Sequence, residues 1–133
     1  MIRQRKQGKW VLALATAAAV LAFAGLGIAA DTIKIGVAGA HSGDLAPYGL
    51  PTAKAVDLVA KEVNAKGGVL GKQIEVVTQD DQCKPEQATN VATKLVSEQV
   101  VAVVGHICSG ATKAALPIFR DAKIPVMSPS ATA

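Results

Sequence analysis

Beyond residue 30 the sequence predicts a doubly wound α/β lobe built on a parallel sheet, and three observations predict it. Four short apolar runs with strand character, Thr32–Ala40, Lys72–Thr78, Val100–Val104 and Ile124–Met127, alternate with three segments whose apolar residues recur at helical spacing. Repetition of strand and helix in this order is the pattern of a parallel sheet with right-handed crossovers. Each strand also runs out into small and polar residues, and such a sheet gathers these loops at its carboxyl edge, where ligands bind. In the strand order 2-1-3-4, strands two and three flank strand one, roughly 10 Å apart by strand spacing.

A leader precedes that lobe. Arg3, Arg5, Lys6 and Lys9 open the chain, an apolar run follows from Trp10 to Ala30, and no acidic residue appears before Asp31. A basic start, an apolar middle and a small-residue end read as a signal peptide over residues 1–30, with cleavage after Ala29 or Ala30. The run also has the length of an uncleaved membrane anchor. It holds four of the 14 basic residues and none of the 10 acidic ones, so residues 31–133 are electrically neutral. The basic pI therefore belongs to the leader and gives no argument for nucleic-acid binding. Tyr48 and Phe119, the only aromatics after the leader, are too few for base-stacking platforms.

Strand one is TIKIGVAGA, Thr32 to Ala40, alternating at first and then turning small. His41–Gly49 is a loop. From Pro51 to Ala65 the residues Val56, Val59, Ala60 and Val63 make one helical stripe. Pro51 suits the first turn, where its missing N–H costs nothing, and Asn64–Gly68 ends the helix with residues that tolerate the left-handed conformation. Strand two, Lys72–Thr78, runs into Gln79-Asp80-Asp81-Gln82-Cys83, where the aspartates suit turn and capping positions. Pro85 starts a second helix with the stripe Ala88, Val91, Ala92, Leu95 and Val96. Strand three is followed by a helix over Gly110–Ala122, which Pro117 should kink or split. Strand four, Ile124–Met127, ends in Ser128-Pro129-Ser130-Ala131-Thr132, and the chain stops at Ala133. No element follows to end the domain, so the lobe reads as incomplete.

The stretch VVAVVGHICSG, Val100 to Gly110, carries the clearest chemistry. A buried strand that turns through small residues into a helix places the Ser109 hydroxyl and several free N–H groups at a positive helix end. An anion such as a carboxylate binds well there. The competing reading of Ser109 is a plain helix cap.

Cys83 and Cys108 are the only cysteines. An even pair behind a signal peptide points to a disulfide in an oxidising compartment, worth on the order of 3 kcal/mol. The two meet only where their loops lean together over the end of strand one, which builds a wall beside Ser109. Two cysteines with two distant histidines make a poor zinc site. An enzyme built on Ser109 or Cys108 lacks its motif, because Ile107 and Ala111 stand where a G-x-S-x-G elbow needs glycine. His106 neighbours both but suits packing in the loop better than general-base work. Gly36, Gly39 and Gly43 are not spaced as a dinucleotide fingerprint.

IKIGVAGAHSGDLAPYG, VNAKGGVLGKQIEVVTQDDQCKPEQA, VVGHICSGAT and the terminal SPSATA together resemble the periplasmic branched-chain amino-acid-binding proteins, the Leu/Ile/Val receptors of ABC importers. The resemblance runs from about Ile33 to the end of the chain. It implies the type I periplasmic binding protein fold, two α/β lobes hinged around one amino acid, with residues 31–133 as most of the first lobe. It implies a periplasmic protein that is not an enzyme, with leucine, isoleucine or valine as ligand and a membrane permease as partner. No cofactor, metal or nucleic acid is implied. By resemblance, Ser109 and Thr132 hold the ligand carboxylate and the Ser130 carbonyl accepts from its ammonium group. Tyr48, in the first loop, and the backbone around Ile107 and Cys108 line the pocket, with Ala131 in the same terminal loop. Cys83 pairs with Cys108. Many relatives have Ala at the position of Ser130, a difference that a carbonyl acceptor does not feel. The second lobe, which supplies an acidic partner for the ammonium and part of the side-chain pocket, is absent. The same fold also serves as the outer, ligand-sensing domain of receptors.

Overall fold

The computed structural model describes residues 31–132; the predicted signal peptide and Ala133 lie outside the described residues. The element order is β1 (Ile33–Gly39), α1 (Ala46–Ala65), β2 (Ile74–Asp80), α2 (Pro85–Ser97), β3 (Ala102–Val104), α3 (Ser109–Asp121) and β4 (Val126–Met127). The four strands form one sheet in the order β2-β1-β3-β4, parallel throughout. This is the predicted topology. β1 is central, paired with β2 from Ile33↔Ile74 to Gly39↔Asp80 and with β3 from Ile35↔Ala102 to Val37↔Val104. The chain turns one way from β1 to β2 and the other way to β3, so the sheet's switch point lies between β1 and β3.

The period-two geometry of a strand sends alternate β1 residues to opposite layers. Gly36 and Ala38 face α2 and α3; a Cβ at Gly36 would meet Val103 and Leu95 at 3.1 and 3.2 Å. Leu95, Phe119 and Val103 are buried there among Ala88, Ala92, Ala111 and Ala115. The alanine stripes let the two helices approach closely, and Leu95 and Phe119 fill the space left. Burial of each stabilises the lobe by roughly 1.5–3 kcal/mol. On the opposite face Ile35, Ile74 and Val104 meet Val56, Val59 and Ala60 of α1 around an apolar cavity of about 330 Å³. It has no polar lining and stands apart from the loops at the carboxyl edge.

The structure corrects several boundaries. α1 begins at Ala46, five residues before the predicted start, and carries Pro51 inside it. Pro47 supplies the first-turn proline instead. The extra turn packs directly on the end of β1: a Cβ at Gly49 would fall 1.8 Å from the Ala40 carbonyl oxygen, a space only glycine leaves open. β2 starts two residues later than predicted and continues to Asp80, because β1 offers partners as far as Gly39. α3 runs from Ser109 to Asp121 through Pro117, which is exposed and does not split it. β3 and β4 are shorter than the apolar runs suggested, and the Pro125 carbonyl accepts from the Val103 amide just before β4.

Candidate ligand site at the carboxyl edge

β3 runs out into Gly105, whose φ of +133° and close approach to β1 both exclude a side chain: a Cβ there would lie 2.0 Å from the Ala38 carbonyl oxygen. The following turn is thereby pressed against the end of β1. His106 and Ile107 are buried in it, Cys108 and Ser109 are half-buried, and Gly110 is exposed. Ile107 packs beside Gly39, where an added Cβ would touch its Cγ2 at 3.3 Å.

Cys108, with extended φ and ψ of −96° and 134°, holds the cap position of α3, and Ser109 is its first residue. The simple cap reading of Ser109 is therefore incorrect: its Oγ caps no helical amide and instead accepts from the Thr132 amide at 3.3 Å. The first helical bond runs from the Thr112 amide to the Cys108 carbonyl at 2.9 Å. The amides of Ser109, Gly110 and Ala111 precede it, at the positive end of the helix.

The loop after β4 is fastened to this turn by hydroxyls. Ser128 Oγ donates to the His106 carbonyl at 2.6 Å and accepts from the Ala131 amide at 2.9 Å. Ser130 Oγ donates to the Ile107 carbonyl at 2.6 Å. The Ser130 side chain is thus a loop anchor. Ser109, Ser130, Ala131 and Thr132 are brought together by these bonds, and both Ser130 and Thr132 are exposed. Tyr48 departs from expectation. It lies in the first turn of α1 rather than in a loop, and it is 72% exposed, with its ring free of the lobe's core.

Cys83 and Cys108 form the expected disulfide, with Cα atoms 5.5 Å apart. Their loops lean together over the end of β1, as the strand order demanded. The turn that delivers Cys83 is left-handed at both Gln82 and Cys83, with φ of 51° and 57°. Two carboxylates hold it. Asp80 Oδ1 accepts from the amides of His41 and Gln82 at 2.8 and 3.0 Å, and its Oδ2 accepts from Ser42 Oγ at 2.5 Å. Asp81 Oδ1 accepts from the Cys83 amide at 2.7 Å. Burial by itself raises the Asp80 carboxyl, but the bonds from Ser42, His41 and Gln82 outweigh it and leave the group below its ordinary range.

The aspartates are turn residues, as the sequence indicated, but Asp81 has a second role that the sequence did not disclose. It is fully buried and its Oδ2 bonds Nδ1 of the equally buried His106. A strand ending in two acids, with a histidine in the neighbouring loop, was the available signal. Only the packing of the two loops over β1 turns it into a pair.

Residues 32–133 match the periplasmic binding protein family. The chain is 43% identical over 120 residues to the leucine-, isoleucine-, valine-, threonine- and alanine-binding protein of Pseudomonas aeruginosa, covering 90% of this chain and 32% of that one. It is 40% identical over 121 residues to the Leu/Ile/Val-binding protein of Escherichia coli K12, covering 91% and 33%. Among solved structures it resembles the branched-chain amino acid transporter substrate-binding protein of Streptococcus pneumoniae in complex with isoleucine. That likeness has a TM-score of 0.74 and 47% identity over 77% of this chain and 30% of that one. The chain spans about a third of the length of these relatives.

Proposed function

We propose, from the premise that this chain belongs to the periplasmic binding protein family, that residues 31–133 are the first lobe of a substrate-binding component of an ABC importer for branched-chain amino acids. Exported by the leader at 1–30, it acts in the periplasm and passes its ligand to a membrane permease. It does no chemistry on that ligand. The bond between Ser109 Oγ and the Thr132 amide carries this reading, because it brings two hydroxyl side chains and the free amides of α3 to one point at the switch of the sheet.

An α-carboxylate suits that point. It meets a positive helix end and neutral donors. The Ser130 carbonyl is the acceptor for the ammonium group, with Ala131 and the backbone of Ile107 and Cys108 as one wall. The disulfide keeps that wall in place. Tyr48, standing out from α1, has its ring available to the ligand's side chain or to an opposing lobe. Leucine, isoleucine and valine are the ligands named for the relatives in Pseudomonas and Escherichia.

Titration calorimetry tests this on a chimera that joins residues 31–133 to the remaining two thirds of the Escherichia coli Leu/Ile/Val-binding protein. Saturable binding of leucine, isoleucine and valine, abolished by methylating the ligand carboxylate, is the expected result. Equal binding of the methyl ester would contradict the proposed use of Ser109 and Thr132.

A further inference from the structure

Asp81 and His106 stand two residues nearer the sheet than the disulfide, in the same two loops. Both are fully excluded from solvent. Taking a carboxylate and an imidazole out of water costs several kcal/mol, so two apolar residues would serve stability at least as well there. What the pair supplies is orientation. A disulfide fixes the distance between Cys83 and Cys108 but leaves the preceding peptide planes free to turn. The bond to Asp81 fixes the imidazole of His106, whose Nε2 has no hydrogen-bond partner among the described residues. The ring is steadied otherwise by Phe119, with ring centroids 6.0 Å apart.

The His106 carbonyl accepts from both Thr112 Oγ1 at 3.1 Å and Ser128 Oγ at 2.6 Å. Ser128 Oγ in turn accepts from the Ala131 amide. The Asp81 bond to the ring and the Ser128 bond to the carbonyl therefore meet in one residue, His106, and Ser128 continues to the loop that carries Ala131 and Thr132. With its ring held by Asp81 in a turn that Gly105 presses against β1, His106 has little freedom to swing its carbonyl away from Ser128, and releasing the ring loosens that anchor.

We propose that Asp81 and His106 are a positioning pair for the carboxylate site, setting the loop after β4 through the His106 carbonyl and Ser128. The inference rests on the amino-acid site proposed above, and it assigns neither residue a contact with ligand.

Hydrogen exchange of the oxidised 133-residue chain, followed by NMR, tests it. His106→Leu removes the bond to Asp81. It is expected to speed exchange at Ala131 roughly tenfold relative to the amides of the β1–β2 ladder, about the loss of one hydrogen bond. His106→Asn, which returns an N–H donor near the position of Nδ1, is expected to restore most of the protection. Asp81→Asn, nearly the same shape without the charge, is expected to act in the direction of His106→Leu with smaller amplitude. Unchanged exchange at Ala131, an equal rise throughout the lobe, or no rescue by Asn would overturn the proposal. So would unfolding of all three variants, since the pair would then be a stability element only. No ligand enters the measurement, so a failure of the amino-acid reading leaves it standing. An unmoved Ala131 in a protein that binds leucine would overturn the pair's role alone.

Discussion

The Thr132 amide donates to Oγ of Ser109 at 3.3 Å, joining residues 23 positions apart and tying the loop after β4 to the first residue of α3. Neither residue makes a site by itself. Ser109 has the free amides of a helix start beside it, and Thr132 brings a second hydroxyl on an exposed loop. The bond holds the two at the one edge of the sheet where strand order reverses.

Both cysteines are expected to be oxidised in the exported protein. Thiol titration under denaturing, non-reducing conditions should find no free thiol, and two free thiols would remove the wall beside Ser109. Cys83→Ser should lower stability by roughly 2–4 kcal/mol, since the unfolded chain regains the freedom of a loop closed over 25 positions.

Asp80 should make the lobe sensitive to acid. Its carboxyl titrates below its ordinary value of 3.8, because the folded state bonds the ionised form. Its stabilising contribution is therefore full above the unfolded value and lost as pH falls through the folded one. Asp80→Asn should destabilise the lobe near neutrality, and the gap in Tm to the parent should narrow on acidification to about pH 3. A gap that stays constant with pH would show that the shape of the side chain matters and its charge does not.

Much of this was legible in the residues. Four apolar runs and three helical stripes indicate the layered sheet. In that strand order Cys83 and Cys108 could meet only over the end of β1, and they do, 5.5 Å apart. Local pattern misled at the prolines. Pro51 and Pro117 mark helix boundaries by propensity, yet α1 and α3 run through both. Packing of Gly49 against the Ala40 carbonyl and of the α3 alanines against α2 outweighs a lost hydrogen bond on an exposed turn. Propensity consequently puts Tyr48 in a loop, whereas it lies in the first turn of α1. The Asp81–His106 pair was invisible for a different reason. A buried polar contact between loops 25 residues apart depends on how Gly105 seats its turn against β1, and no periodicity records that.

One lobe should bind poorly. Ser109 is half-buried and Thr132 exposed, so in the proposed site this edge would meet only one end of an amino acid and leave the rest in water. The 133-residue chain should therefore bind leucine very weakly, and the chimera with two lobes far more tightly. Comparable affinities in calorimetry would show that closure around the ligand contributes little.

Tyr48 should influence choice among ligands rather than overall affinity. Its ring is exposed on α1, outside the bonds that gather Ser109, Ser130 and Thr132. In the chimera, Tyr48→Ala should change the order of leucine, isoleucine and valine affinities. An equal loss for all three would place the ring at the carboxylate end.

The most direct test of the central claim is the effect of Ser109→Ala on the chimera's affinity for leucine, isoleucine and valine, measured side by side. A charge-assisted hydrogen bond is worth about 1.5–3 kcal/mol, so binding should weaken roughly ten- to a hundredfold. The factor should be the same for the three ligands, because they share one carboxylate and differ only in the side chain. Unchanged affinity for all three would reduce Ser109 to the loop tie seen with Thr132. A loss confined to one ligand would put it at the side-chain end of the pocket, and either result would contradict the account.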